Sequence, residues 1–194
     1  PSLRRLRPTT YEDDAEAERF VNEFQQIVST DLYWFTDPNQ SSMAAPPWLP
    51  EGANGNWPTI SGATVKRAAN YGYQIDRLRA LDAMDGERQP VWAFVELGWP
   101  FTESASQGGR RIQPAELRAA VWHSIIAGAR GILYFDHNFG PGTPDSTIHG
   151  QGYADNRAMA KSVNAQIKSL APVLNSPTVR SGWSQGAGTT AMVK

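Results

Sequence analysis

The chain has 194 residues, 40% of them hydrophobic, and 19 acidic against 18 basic side chains leave a net charge of −1. That balance gives no electrostatic case for nucleic acid or an anionic membrane surface, and no apolar run approaches the ~20 residues of a membrane helix. With no cysteine in the chain, disulfides, thiolate nucleophiles and thiolate metal sites are excluded together.

The opening "PSLRRLR" is basic but short and lacks aromatic interleaving, so it reads as a solvated tail. Thr10 precedes "YEDDAEAERFVNEFQQIVS", where Asp13 resembles a capping-box partner and acidic residues crowd the first turn. Phe20, Val21, Phe24, Ile27 and Val28 predict a helix with one apolar stripe. "DLYWF", Asp31–Phe35, is short, aromatic and bounded by Asp-Pro-Asn, which predicts a strand. A Pro-, Gly-, Ser- and Asn-rich loop runs from Thr36 to about Ser61 and carries Trp48 and Trp57. Structureless loops of that length are usually functional or disordered, and its tryptophans favour function.

A second helix is predicted over Ser61–Met84, with Val65, Ala68, Ala69, Ile75, Leu78 and Leu81 facing inward and Asp85-Gly86 closing it. The strand Val91–Val95 follows, ending on Glu96, and then the loop "LGWPFTESASQGGRRIQ". Pro114 suits the first position of a third helix, whose Leu117, Val121, Trp122, Ile125 and Ile126 share one side. "GILYF", Gly131–Phe135, predicts another strand, and Asp136–Gly152 another Gly/Pro-rich loop. The last helix starts near Tyr153 with Met159, Val163, Ile167, Leu170 and Leu174 as its stripe, and Pro177 lies beyond it.

Alternating helices and strands indicate an α/β fold with parallel strands and right-handed crossovers. Each long loop follows a strand, so the elaborated loops gather at the carboxyl ends of the strands, where open α/β sheets and (β/α)8 barrels place their sites. No Gly-x-Gly-x-x-Gly and no P-loop follows a strand, which favours the barrel over a nucleotide-binding sheet.

Three carboxylates then share one edge: Glu96, Asp136 (beside His137 in "YFDHNF") and Asp37 after "YWFT". For Glu96 the bland alternative is a salt bridge to Arg110 or Arg111. His123 lies mid-helix, and His137 and His149 show no ligand spacing, so no metal is expected. A Ser-His-Asp site lacks its Gly-x-Ser-x-Gly elbow, and no cofactor motif is present. Trp48, Trp57 and Trp99 sit in Pro/Gly loops, where a ring either stacks on a ligand or packs under its own loop. Carboxylates with aromatic platforms, Tyr33 among them, suit a neutral polyhydroxylated substrate, since two carboxyl groups cleave glycosidic bonds.

"PVWAFVELGWPF" followed by "PAELRAAVWHSIIAGARGILYFDHNF" resembles the end of the catalytic barrel in clan A glycoside hydrolases, family 42 β-galactosidases being the nearest. The likeness covers Pro90–Phe139, with "GARGILYF" its most specific element. The resemblance implies that the chain holds about strands six to eight of a (β/α)8 TIM barrel over residues 1–176. It implies Glu96 as the nucleophile of a retaining mechanism and Asp136 and His137 at the edge of the sugar pocket. Asp37, Tyr33, Trp99, Trp48 and Trp57 complete the expected substrate-binding set. Two features depart from the family: "DHNF" stands where a Trp or Arg is usual, and no Asn-Glu acid/base lies at a strand end. The acid/base and the remaining barrel strands are therefore expected from another segment or chain, because a full barrel needs ~250 residues. Residues 177–194, "PTVRSGWSQGAGTTAMVK", read as a linker and the start of a β-sandwich.

The functional expectation is a glycoside hydrolase acting on a glycan, secreted or extracytoplasmic by its substrate class. The rival is a non-catalytic carbohydrate-binding barrel or structural subunit. A nucleophile must be ionised, so Arg110, Arg111 or His137 is expected to donate to Glu96 and lower its pKa.

Overall fold

The computed structural model describes residues 14–37, 40, 42–43, 60–100, 106, 108–138, 149–179, 181–186 and 189–194. Their elements run α1 (Asp14–Phe24), β1 (Val28–Thr30), β2 (Ser42–Met43), β3 (Ile60–Ser61), α2 (Ala69–Asp82), β4 (Val91–Glu96), α3 (Pro114–Ile126), β5 (Gly131–Phe135) and α4 (Ala154–Leu174). Short 3-10 turns at Gly62–Thr64 and Gln151–Tyr153 lead into α2 and α4.

β1, β4 and β5 form a parallel sheet in chain order, with Val28 opposite Val91 and Glu96 opposite Phe135. Strands laid down in sequence with right-handed crossovers put every connecting helix on one face. The helices accordingly form one layer, α2 packing on α1 and α3, and α3 on α4. Three strands leave the sheet open at β1 and β5, so the described residues close no barrel.

β4 shows the pleat most clearly. Val91, Ala93 and Val95 are buried, while Trp92 and Phe94 are half-buried, as expected when successive side chains alternate between faces. Gly131 is required by this arrangement: a Cβ there would lie 2.6 Å from the Trp92 ring. On the covered face, α2 buries Tyr71, Ile75, Leu78 and Leu81, spaced three or four apart as a helix stripe demands. Each buried aliphatic contributes roughly 1.5–3 kcal/mol. α2 and α3 approach closely at Gly72, where a Cβ would stand 3.1 Å from the His123 carbonyl.

Three sequence expectations change. The first strand is Val28–Thr30, not Asp31–Phe35. The run Ile27-Val28-Ser29-Thr30 is mostly β-branched and favours extended backbone, and α1 stops at Phe24, with the Gln25 side chain accepting the Ser29 N–H (3.1 Å). Phe24 and Ile27 therefore leave the expected stripe and are 71% and 43% exposed. Asp31–Phe35 still lies inside, but as irregular chain ending in a turn closed by the Asp37 N–H on the Tyr33 carbonyl (3.1 Å). The second helix begins at Ala69, not at Ser61. The Thr36–Ser61 stretch is also not wholly irregular, because β2 and β3 pair antiparallel within it.

Thr10 and Asp13 lie outside the described residues. After Pro177 the described residues form no strand. They turn back on the helices: Thr190 meets His123 (Oγ1 to Nδ1, 3.2 Å), Met192 packs on the core, and the Val179 N–H donates to the Val193 carbonyl (2.8 Å). No helix among the described residues is long and apolar enough to cross a membrane.

Candidate functional site

Glu96 is the last residue of β4, the central strand, and its side chain is 1% exposed. It is satisfied by neutral donors. Oε1 accepts the Phe35 N–H (2.8 Å) and the Tyr71 hydroxyl (2.8 Å), and Oε2 accepts the Thr36 N–H (3.1 Å). Tight turning after β1 is what aims two successive N–H groups at one carboxylate, a small anion-binding concavity. Burial pushes the Glu96 pKa up to about 7, against the pull of the Phe35 N–H, the Tyr71 hydroxyl, the Thr36 N–H and the nearby Lys66 ammonium.

This corrects the expected arginine partners. Arg110 makes a two-pronged pair with Glu116 (2.8 and 2.6 Å), and Arg111 pairs with Asp155 (2.8 Å). Both arginines are drawn to the helix starts behind the loop: Glu116 lies in the first turn of α3 and Asp155 in that of α4, where carboxylates are favoured. Arg110 still borders the site, its guanidinium 4.9 Å from the Phe35 ring centroid.

Lys66 is a cation whose charge acts on Glu96. Its Nζ donates to the Phe35 carbonyl (2.8 Å), the same residue whose N–H serves Glu96. Burial lowers the Lys66 pKa, while the charges of Glu96 and Asp37 work to hold its proton.

The remaining expected residues gather at the same edge of the sheet. Tyr33 and Asp37, both buried, follow β1. The Tyr33 ring meets Phe135 at the end of β5 edge-on (5.1 Å between centroids), and its hydroxyl donates to Asp31 (3.2 Å). Asp136 and His137 follow directly, half-buried, with the His137 ring edge-on to Phe135 (6.3 Å). Trp99 lies three residues after Glu96, half-buried, and its indole N–H is enclosed without a hydrogen-bond partner among the described residues. Trp48 and Trp57 lie outside the described residues.

Several residues that shape the site were not expected. Gln74 accepts the Trp34 indole N–H (3.3 Å) and donates to the Thr30 carbonyl (3.1 Å), tying the end of β1 to α2. Asn156, wholly buried, donates to the Leu97 and Ile112 carbonyls (2.8 and 3.0 Å) and so clamps both ends of the loop after Glu96. Their signal lay in spacing: Tyr71 and Gln74 share helical registers with Ile75 and Leu78, and Asn156 with Ala160 and Val163. Polar residues on a buried stripe are informative because burial without partners is costly. Among the described residues no group of three or more His, Asp or Glu side chains is arranged to hold a metal ion.

No family model, curated protein or solved structure matches the chain. Function therefore rests on the chemistry of this edge.

Proposed function

We propose that the chain is part of a (β/α)8 glycoside hydrolase and that Glu96 is one of its two catalytic carboxyl groups, acting as nucleophile. The observation that carries the reading is Glu96 itself: a buried carboxyl at the carboxyl end of the central parallel strand, held by neutral donors rather than neutralised by an arginine. A carboxyl raised toward neutrality suits acid–base work; as nucleophile Glu96 reacts in the ionised form, which the Phe35 and Thr36 N–H groups, the Tyr71 hydroxyl and Lys66 favour against burial. The aromatic rings of Tyr33, Trp99 and Phe135 near this edge support a polyhydroxylated ligand, whose apolar faces stack on such rings. The single helix layer and the open strand edges support a barrel completed by strands from another segment or chain, which would also carry the acid/base. The extracytoplasmic setting belongs to the same proposal and follows from the substrate class alone.

The test is the pH dependence of kcat/KM on chromogenic glycosides, in the protein that contains the whole barrel. As nucleophile, Glu96 reacts ionised, so the rate rises with pH through about 7. A rate that falls through that range instead makes Glu96 the proton donor. Trp99→Ala should weaken glycan binding by roughly 1 kcal/mol or more if the ring stacks on sugar.

One observation favours the rival reading, a non-catalytic glycan-binding barrel. Both Glu96 oxygens accept backbone N–H groups from the Phe35–Thr36 turn, so the carboxyl also serves as a brace. Under that reading wild type and Glu96→Gln bind the same glycans and neither turns them over.

A further inference from the structure

We propose that Tyr71 and Lys66 are positioning residues for Glu96, Tyr71 holding its carboxyl in either protonation state and Lys66 favouring the ionised one. The catalytic meaning of this inference rests on the glycosidase reading, but its geometry does not.

Ionised Glu96 needs only donors, and it has three. A protonated carboxyl needs an acceptor for its own O–H, and the Phe35 and Thr36 N–H groups cannot accept. Among the three partners only the Tyr71 hydroxyl can reverse its role, donating to the carboxylate and accepting from the acid. Its position suits that task. The phenol is anchored by a 1% exposed side chain in the first turn of α2, and its oxygen stands 2.8 Å from Oε1 and 3.5 Å from the Glu96 N–H. Lys66 acts through the same turn, gripping the Phe35 carbonyl while its charge lies near both Glu96 and Asp37.

Among the described residues, the other charged or titratable groups at this edge are Asp31, Tyr33 and Asp37 after β1, Arg110 before α3, and Asp136 and His137 after β5. Arg110 also senses the Glu96 charge, but its guanidinium is committed to Glu116. Tyr71 and Lys66 both belong to the segment leading from β3 into α2, so that segment governs the carboxyl borne by the next strand of the sheet.

The experiment is a substrate-free titration of the Glu96 carboxyl by NMR on the full chain labelled with carbon-13 glutamate, Glu96→Gln identifying the resonance. Tyr71→Phe removes a charge-assisted bond to the ionised form that is stronger than the neutral bond the phenol offers the acid, and Lys66→Met removes a stabilising charge. Each should raise the midpoint by about one unit, and Lys66→Arg should return it toward wild type. Arg111→Gln, on a residue bound to Asp155, should leave it in place. A midpoint unmoved by Lys66→Met, or moved equally by Arg111→Gln, overturns the role of Lys66. One unmoved in folded Tyr71→Phe overturns that of Tyr71. Because no turnover is read, loss of the glycosidase reading and loss of this inference give different results.

Discussion

Glu96 and Glu116 are two acidic sites in one small fold, and they are held in opposite ways. Glu116 receives a guanidinium in two-pronged contact and the Gln113 N–H (2.9 Å). Burial would raise its pKa, but Arg110 and that N–H together outweigh it and leave the carboxyl below its ordinary value. Among the described residues Glu96 receives as many hydrogen bonds, but none from a charged group, and burial wins. The difference lies in where the countercharge sits. At the start of α3 it is in direct contact and the carboxylate is a structural ion. At the end of β4 it is one residue removed, on Lys66, and the proton stays exchangeable near neutral pH.

The sharpest way to break the comparison is turnover. On the glycosidase proposal, Glu96→Gln keeps the shape and removes the proposed nucleophile, so kcat of the protein carrying the proposed full barrel should fall by about three orders of magnitude or more. Glu116→Gln should change it only a few-fold. Comparable losses in the two variants would show that Glu96 has no special chemistry.

Stability separates the sites next. Glu96→Leu strands the Phe35 and Thr36 N–H groups and the Tyr71 hydroxyl without their acceptor, at a cost of about 3 kcal/mol or more, at ~1–3 kcal/mol per orphaned group. Glu116→Ala breaks a pair whose side chains are 40% and 29% exposed and should cost about 1 kcal/mol. Chemical denaturation of both variants measures the gap, and equal losses would remove it.

The two sites should also tilt stability against pH in opposite directions. The folded pKa of Glu96 lies near 7, above the ordinary 4.5, so the folded state binds the extra proton between those values. Its contribution is complete below about 4.5 and is lost as pH rises through about 7, by at most roughly 3 kcal/mol. Glu116, lowered on folding, contributes above its unfolded pKa and loses that contribution as pH falls through the folded one. Subtracting the Glu96→Gln curve from wild type should isolate the first slope, and a flat difference between pH 5 and 8 would refute it. Smallest of all, Arg111→Gln at the exposed Asp155 pair should cost less than about 1 kcal/mol at neutral pH.

The alternation of elements, the parallel sheet and the gathering of Asp37, Glu96, Asp136 and His137 at one edge were legible in the sequence, because their segments read as the ends of successive strands, whereas Tyr33 was read inside a strand that ends before it. The start of β1 was not legible, because Val28 fits both a helical stripe and a β-branched run, and only pairing with Val91 decides between them. Nor were the partners of Glu96. Proximity along the chain favoured Arg110 and Arg111, but helix starts at Glu116 and Asp155 compete for them. The donors that prevail come from Phe35 and Thr36, about sixty residues away, and from a tyrosine whose place on the buried stripe of α2 was readable only by spacing.

The most direct test of the central claim is covalent labelling of the protein that carries the proposed full barrel. A fluorosugar with an activated leaving group traps a retaining nucleophile as its glycosyl ester, and peptide mapping locates the ester. The label is expected on Glu96 alone; a label on Asp37 or Asp136, or one that persists in Glu96→Gln, would contradict the account.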